Sequence, residues 1–372
     1  MKRKLLATMM VAAMSVSLVA CGGDSSSASS EESEAAEETE AAEETEAAEE
    51  TEATEETAEV DTSDMPEVTL KLSFSTNEED PRALASNQFK EEVEEKTGGA
   101  VTVEIYPAGQ LGGDADLINS ISLDSGTVDV IITDASNFAT YEPLMGVSAL
   151  PFQFEDFDEA WAFMDSDVEA TAEEGLIDQN MRVLAHYCNG FRCVTNSKGP
   201  VESPEDMQGM LIRTPENPVI MATMSALGAN PQPLAFNELY QALQQGTYDA
   251  QENPIPVIYN NNLYEVQSYL SVTNHIYSGM CFTIAESTWQ KMSAAEQEIV
   301  QAAATASADY DRELNKQQTE DLVSSLEEAG MQINYPDLAP FAEATASVLT
   351  DNADTYGTLL DDLAAWKAEY EK

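Results

Sequence analysis

Residues 24–64 cannot supply a hydrophobic core, and this limits the part of the chain that folds. The segment has no Lys, Arg or aromatic residue, and it repeats the hexad EAAEET three times before the near-copy EATEET. In a helix, Glu34 would lie beside Glu37 and Glu38, and like charges at this spacing are destabilising. Without apolar surface to bury, the segment cannot offset its ordering entropy. We expect a disordered acidic spacer followed by a folded body over 65–372.

The first 20 residues have the pattern of a signal peptide. Three basic residues at positions 2–4 precede an apolar run, residues 5–20, that is too short for an ordinary membrane-spanning helix. The run ends in LVAC, which resembles the lipobox of bacterial lipoproteins. The resemblance implies cleavage before Cys21 and acylation of its thiol with diacylglycerol, so palmitate is an expected modification. The alternative is an ordinary secretory signal that contains a Cys.

With the lipobox interpretation, residues 21–64 comprise the lipidated Cys and the acidic linker. The mature protein would be anchored through lipid to the extracytoplasmic face of the cell membrane.

The charge of the body excludes one class of partner. Residues 65–372 contain 51 acidic and 13 basic residues. Nucleic acid would be repelled by a net charge near −38. An anionic ligand would depend on locally placed arginines, of which the body has five: Arg82, Arg182, Arg192, Arg213 and Arg312.

Cysteine and histidine are scarce. The body contains Cys188, Cys193 and Cys281, an odd number, so at least one thiol stays free within a single chain. A Cys188–Cys193 bridge and buried thiols both remain open. His186 and His275 belong to no HExxH or CxxC pattern, so we expect no metal site and no cofactor.

No motif predicts catalysis. The sequence lacks GxSxG, and the glycine-rich GQLGGD at 109–114 lacks the Lys-Ser/Thr pair of a phosphate-binding loop. We therefore expect a binding protein and not an enzyme.

Strands and helices alternate through the first part of the body, which is typical of an α/β lobe. The patterns predict strands at 68–74, 101–106 and 128–133, with helices at 81–96 and 114–123. The alternation restarts beyond residue 182, where the patterns predict strands at 182–187, 192–196, 210–214, 248–251, 268–273 and 279–285, and helices at 218–227 and 238–245.

A long helix is predicted over 293–329, which contains no Pro or Gly and begins with a capping box formed by Ser293 and Glu296. A helix of that length exceeds the width of one lobe, so we expect it to span both. A final helix pair is predicted over 340–371. We therefore predict two α/β lobes that form a hinged clam with a ligand cleft between them.

Several motifs in order along the chain resemble one family. NGFRCVTN (189–196), IRTP (212–215) and QENP (251–254) resemble the DctP-type solute-binding subunits of tripartite ATP-independent periplasmic (TRAP) transporters, as do 97–118 and 150–161. The resemblance covers about 68–340.

The resemblance implies a periplasmic-binding-protein fold and a monomer that delivers a small organic acid to membrane permease subunits. We expect lobe I at 66–189 plus 278–317, and lobe II at 190–277 plus 318–372.

The resemblance also assigns ligand contacts. Arg213 matches the arginine that clamps the ligand carboxylate, a task suited to a planar guanidinium, and Arg192 matches a second, supporting arginine. Asn253 matches an amide that holds the carboxylate from the opposite side, and Phe236 matches an aromatic that packs on the ligand. From the residues alone, other roles stay open: ion-paired arginines, a turn-forming Asn and a core Phe.

The other lobe is expected to supply selectivity. Asn77 and Asp134 follow strands, at the edge where α/β clefts form, and Gln110 and Asp114 are weaker candidates. Any of the four could instead cap a helix. His275 is expected to be an interior histidine.

The predicted ligand is either a sugar acid, such as a uronate, or a C4-dicarboxylate. The polar residues Asn77, Asp134 and Gln110 favour the sugar acid. One alternative is an ABC-type solute-binding protein or sensor lobe for an organic anion. The paired arginines, QENP and the long helix count against it. An exported hydrolase is the other alternative, and it lacks a nucleophile motif.

Overall fold

The computed structural model of the protein describes residues 65–370. The predicted signal peptide (1–20), the predicted lipidation site Cys21 and the rest of the predicted spacer lie outside the described residues. Over the range 65–370, no helix combines the length and the apolar character needed to cross a bilayer.

The strands of this range form a single mixed sheet. They are β1 (Val68–Ser73), β2 (Val101–Tyr106), β3 (Val130–Asp134), β4 (Met181–Asn196), β5 (Leu211–Thr214), β6 (Asn230–Pro233), β7 (Ala250–Pro254), β8 (Tyr269–Ala285) and β9 (Gln332–Asn334). Their order is β2-β1-β3-β8-β4-β7-β5-β6, with β9 alongside β8. The pairs β1/β2, β1/β3, β5/β6 and β5/β7 are parallel, while β8 runs antiparallel to β3 and β4.

The helices cover both faces of the sheet and follow the predicted alternation. They are α1 (Pro81–Lys96), α2 (Asp114–Ser122), α3 (Phe157–Met164), α4 (Asp167–Glu173), α5 (Pro218–Ala226), α6 (Phe236–Gln244), α7 (Ile255–Asn260), α8 (Glu286–Trp289), α9 (Ala294–Glu328), α10 (Ala339–Asp351), α11 (Ala353–Tyr356) and α12 (Leu359–Tyr370). The predicted α/β class is confirmed.

The prediction of four short strands in place of β4 and β8 is wrong. Each is a single long strand, and the two pair antiparallel from Met181 opposite Ala285 to Asn196 opposite Tyr269. The sequence Asn-Gly at 189–190 is typical of a turn, but here the register shifts between Cys188 and Gly190. Gly190 has φ 111°, which a glycine adopts readily, so the strand continues through a bulge.

The long ribbon of β4 and β8 joins the two halves of the sheet. The Met280–Ile284 part of β8 pairs with β3, whereas the Arg192–Asn196 part of β4 pairs with β7. The half with β1–β3 and the half with β5–β7 are therefore connected by continuous strands. Any movement of one half relative to the other would therefore have to bend these strands.

Helix α9 confirms the prediction of a long helix that reaches both halves. Its Ser293 hydroxyl and Glu296 carboxylate form the predicted capping box. Val300 and Ala304 pack in the core that contains Leu70 and Phe282, whereas Leu326 packs in the core that contains Leu239 and Leu270. At 1.5 Å per residue, 35 residues span roughly 50 Å.

Two more cores complete the fold. Val194, Ile212 and Phe341 belong to a core beneath β5. The C-terminal residues Leu359 and Leu363 pack in a core that also contains Phe163, Met181 and Cys281. Helices α10 to α12 thus pass from one half to the other, and the lobe boundaries expected from the sequence stay a prediction.

The three cysteines of the body are buried free thiols. Cys188 and Cys193 belong to different cores. Of the two alternatives left open by the sequence, the structure therefore has unpaired thiols.

Candidate functional site

A cavity of about 530 Å³ lies where the two halves face each other. Its walls come from the start of α2 on one side and from the end of β5 and the start of α6 on the other. A narrow extension of about 40 Å³ shares Asp114, Asn137, Arg213 and Phe236 with it and reaches towards Arg192. The volume falls in the range of small-molecule sites.

Arg213 lies at the carboxyl end of β5 and is 2% exposed. Side chains alternate along a strand, so Ile212 enters the core beneath β5 while Arg213 points the other way. Its Nε and Nη2 both donate to the carbonyl of Leu234, at 2.8 and 2.6 Å. No carboxylate within residues 65–370 lies within 4.0 Å of its nitrogens. The guanidinium is therefore buried, oriented by one carbonyl and not paired with an acid.

Arg192 is also buried, but it has a partner. Its Nε and Nη2 donate to the carboxylate of Glu252, with Nη2 at 2.8 Å from Oε1. Nη2 also approaches the Oδ1 of Asn253 at 3.2 Å, and Nη1 approaches the Oγ of Ser278 at 3.3 Å. Asp134 lies 4.0 Å from Nη1. The charge of Arg192 is thus neutralised by a bidentate pair within the protein.

The two arginines differ in their pKa for this reason. Burial would lower the pKa of Arg192, but the charge and hydrogen bonds of Glu252 hold it above its usual value. Burial is the largest influence on Arg213 and lowers its pKa to about 10, although the charge of Glu252 opposes the change. Burial would raise the pKa of Glu252, but the charge and hydrogen bonds of Arg192, together with His275, lower it to about 2. His275 itself is fully buried beside Thr273, as expected of an interior histidine.

Asn253 and Phe236 lie against these arginines. The Nδ2 of Asn253 donates to Gln251 at 2.6 Å, and its Oδ1 accepts from Arg192. Phe236 begins α6, and its ring centroid lies 5.8 Å from the Cζ of Arg213. Leu239 and Leu243, three and seven residues later, anchor that face of α6 in a core.

Asp134 and Asp114 contribute acceptors from the opposite half. Asp134 ends β3, caps the following turn through the backbone N–H of Ser136 at 2.9 Å, and lines the narrow extension. Asp114 begins α2, accepts from Ser75 at 3.2 Å and lines both parts of the cavity. Burial raises the pKa of Asp114, and the charges of Arg82 and Arg213 offset part of this effect.

Two expected contacts lie outside the cavity walls. Asn77 donates its side-chain N–H to the carbonyl of Asn260, so it bridges the two halves instead. Gln110 is exposed on the loop before α2. The structure therefore brings together Arg213, Arg192, Asn253, Phe236 and Asp134, together with the weaker candidate Asp114.

The sequence did not single out other members of the site. Arg82 is 4% exposed and lies in the narrow extension, where it pairs with Asp80 at 2.8 Å and donates to Asn189 at 2.6 Å. Glu252, the partner of Arg192, is part of the QENP motif. Its position in that motif, next to Asn253, was the available signal in the sequence.

A separate cluster holds side chains that could ligate a metal. Glu173, His186 and Cys281 bring three potential ligand atoms within 4.8 Å of one another. None of them lines the cavity of Arg213.

Comparisons with known proteins agree with this architecture. The profile of the DctP family, described as "Bacterial extracellular solute-binding protein, family 7", matches residues 72–355. The 2,3-diketo-L-gulonate-binding periplasmic protein YiaO of Escherichia coli is 31% identical over 295 residues, which cover 79% of this chain and 89% of that protein.

Solved structures are similar to 80% of the chain. A TRAP periplasmic solute-binding protein from Polaromonas, bound to D-erythronate, has a TM-score of 0.77 and 32% identity, covering 80% of this chain and 98% of that one. Another from Roseobacter denitrificans, with bound L-galactonate, has a TM-score of 0.74 and 34% identity, covering 80% and 99%. The chain belongs to the DctP family of bacterial extracellular solute-binding proteins.

Proposed function

We propose that this protein is the solute receptor of a TRAP transporter and that it binds a small sugar acid between its two halves. The observation that carries the proposal is Arg213, a buried guanidinium that faces a cavity and has no acidic partner among residues 65–370. An unpaired buried charge is costly. A ligand carboxylate would remove that cost.

The contacts of Arg213 leave a suitable edge for a carboxylate. Its carbonyl partner, Leu234, takes the Nε–H and one N–H of Nη2. A guanidinium has five N–H groups, so both hydrogens of Nη1 and one of Nη2 stay available. Together they can donate two parallel hydrogen bonds to one carboxylate.

The charge balance of the cavity favours one carboxylate over two. Arg82 and Arg192 are the other cationic side chains in the described cavity walls, and both are already paired with acids. A second ligand carboxylate would therefore meet no free cation. Asp134, Asp114 and the amide of Asn137 instead offer hydrogen-bond acceptors to hydroxyl groups.

Phe236 and Asn253 would complete the contact with the carboxylate. The ring of Phe236 already covers one side of Arg213 and would keep water from the ion pair. Asn253 is held by Arg192 and Gln251, which gives its amide a fixed direction.

Two of the similar solved structures hold ligands with this chemistry. D-erythronate and L-galactonate each carry one carboxylate and several hydroxyls, and they are bound by the Polaromonas and Roseobacter proteins. Diketogulonate, named for the Escherichia coli protein, is also a sugar acid. These ligands support a sugar acid for this chain.

The protein would act by binding its ligand selectively and closing around it, without a covalent step. The ribbon of β4 and β8 would act as the hinge between lobe I (66–189 plus 278–317) and lobe II (190–277 plus 318–372). The closed form of the monomer would then be recognised by the membrane permease subunits. Acylation of Cys21 would hold the receptor at the extracytoplasmic face of the membrane, with residues 24–64 as its spacer.

Two four-carbon acids distinguish the ligand classes. We expect D-erythronate to bind at least about tenfold more tightly than succinate, because the second carboxylate of succinate meets no free cation. Isothermal titration calorimetry with the full chain measures both, and erythritol, which lacks a carboxylate, should not bind. Tighter binding of succinate than of D-erythronate would contradict the sugar-acid assignment. If erythritol bound and neither acid did, the proposal of a carboxylate receptor would itself be contradicted.

Arg213→Lys keeps the charge and removes the planar fork. We expect the affinity for D-erythronate to fall by about 2 kcal/mol or more, since an ammonium cannot make the two parallel hydrogen bonds. Calorimetry gives the change. Arg182→Lys is the matched control, because Arg182 pairs with Glu286 away from the cavity. An Arg213→Lys variant with wild-type affinity would refute the assignment of the carboxylate clamp.

Glu252→Gln leaves Arg192 buried without its carboxylate. We expect the free energy of unfolding to fall by about 3 kcal/mol near pH 7. The wild-type contribution is fully present above the unfolded-state pKa of a glutamate, about 4.3, and is lost as the pH falls towards the folded value. That folded value is about 2.

The stability gap between wild type and Glu252→Gln should therefore narrow as the pH falls below about 4.3. Urea unfolding at a series of pH values measures the gap. The exposed Glu313→Gln on α9 serves as the control. A gap that does not change with pH would show that the ion pair is not its source.

Cys21→Ala tests the lipid anchor. In a bacterial host we expect the wild-type chain to incorporate labelled palmitate and to partition into detergent, because acyl chains bury many methylene groups. The variant should lose both properties, while Cys193→Ser retains them. A wild-type chain without label would exclude the lipoprotein form and leave the receptor assignment intact.

A further inference from the structure

The ribbon of β4 and β8 brings a histidine and a cysteine together outside the cleft. His186 and Cys281 are direct partners in the antiparallel register. Directly opposed residues point to the same face of a sheet, with Cβ atoms roughly 5 Å apart. Imidazole and thiol are the side chains that most often bind transition metals.

Helix α4 supplies Glu173 to the same place and carries Glu169 one turn earlier. Glu169 and Glu173 are four residues apart and so share one face of the helix. The Oε1 of Glu173 lies 2.5 Å from the Nε2 of His186, and one ligand atom each from Glu173, His186 and Cys281 lie within 4.8 Å of one another.

Glu169 is the independent sign that a ligand belongs here. Its side chain is fully buried, and neither carboxylate oxygen has a hydrogen-bond partner in the part of the chain that the structure describes. Glu169 precedes Glu173 by one turn of α4, on the face of the helix that carries the ligand atom of Glu173. A buried carboxylate without any partner is costly.

A second set of contacts orients the imidazole. The Nδ1 of His186 lies 3.3 Å from Asp165, and Arg312 holds that carboxylate through two hydrogen bonds of 2.6 and 2.8 Å. Metal-bound histidines commonly donate their second N–H to a carboxylate in this way. The arrangement directs the Nε2 lone pair of a neutral His186 towards Glu173 and Cys281.

We propose that Glu173, His186 and Cys281 bind one divalent transition-metal ion, with Glu169 from the preceding turn of α4 turning towards it as the fourth ligand. The donors are one sulfur, one nitrogen and two carboxylate oxygens, a set that fits four-coordinate Zn²⁺ and not the all-oxygen shells of Ca²⁺ or Mg²⁺. Solvent reaches the site through a cavity of about 320 Å³ beside Asp165 and Glu173.

A doubly protonated His186 without a metal ion would explain fewer of these contacts than a bound ion does. An imidazolium would satisfy Glu173 and Asp165, but it would leave both oxygens of Glu169 without a partner. A cation that also binds Glu169 and the sulfur satisfies the whole cluster. The ion would tie α4 to the ribbon of β4 and β8, away from the sugar-acid cavity, so the site does not depend on the proposed function.

Cobalt titration of the full chain tests the site. After dialysis against a chelator under a non-thiol reductant, we expect Co²⁺ to bind with a stoichiometry of one strong site per chain and to give a sulfur-to-cobalt charge-transfer band. Zn²⁺ should displace the cobalt and abolish the band. The acidic spacer contains no sulfur between residues 24 and 64, so it cannot contribute to this signal.

Two variants and their controls identify the ligands. Cys281→Ser should lose the band, whereas Cys193→Ser, another buried thiol, should keep it. Glu169→Gln should weaken Co²⁺ binding about tenfold or more, and the exposed Glu174→Gln should not. A wild-type chain without the band, a band that persists in Cys281→Ser, or wild-type affinity in Glu169→Gln would overturn the site.

Thermal unfolding separates a metal ligand from a structural residue. Zn²⁺ should raise the unfolding temperature of the wild type and not that of Glu169→Gln. Without metal, Glu169→Gln should be at least as stable as the wild type, because neither oxygen of the buried Glu169 has a partner and the substitution removes no hydrogen bond. An equal effect of Zn²⁺ on both chains would exclude Glu169 as a ligand.

Discussion

The buried ion pair between Arg192 and Glu252 determines how charge is arranged in the cleft. Both charges are removed from water, and each satisfies the other through two hydrogen bonds. Arg192 therefore keeps little attraction for a guest. Arg213, a short distance away, has only the carbonyl of Leu234 as a partner in the described chain. In the proposed receptor, the difference between a paired and an unpaired guanidinium would make one position selective for a carboxylate.

The ribbon of β4 and β8 connects the two parts of the molecule that carry chemistry. One stretch of it supplies Arg192 and Ser278 to the cleft, and another supplies His186 and Cys281 to the proposed metal site. The bulge at Gly190 lies between these stretches on β4. A hinge in this ribbon would move the cleft walls while leaving the register around His186 in place. Closure and the second site would then be mechanically separate.

The sequence predicted the order of strands and helices because the alternation is local, and it predicted α9 from its cap and the lack of Pro or Gly. It divided β4 at Asn189-Gly190 because a turn and a bulge look alike in sequence. The cleft arginines followed from motifs, but the pairing of Arg192 with Glu252 depends on strand register. His186 and Cys281 are 95 positions apart, so only the folded sheet reveals their contact. Gln110 looked polar and well placed, yet its loop turns it outward.

The acidic surface makes the local arrangement of Arg213 more important. A body with net charge near −38 repels an anionic guest. At physiological salt this repulsion is screened beyond roughly 8 Å, so it acts only on the last part of the guest's approach. Inside the cleft the effective dielectric constant is lower, and an ion pair there is screened much less. In the proposed receptor, binding would therefore arise from contacts made after entry, and the desolvated edge of Arg213 would gain most from them among the groups of the described cavity.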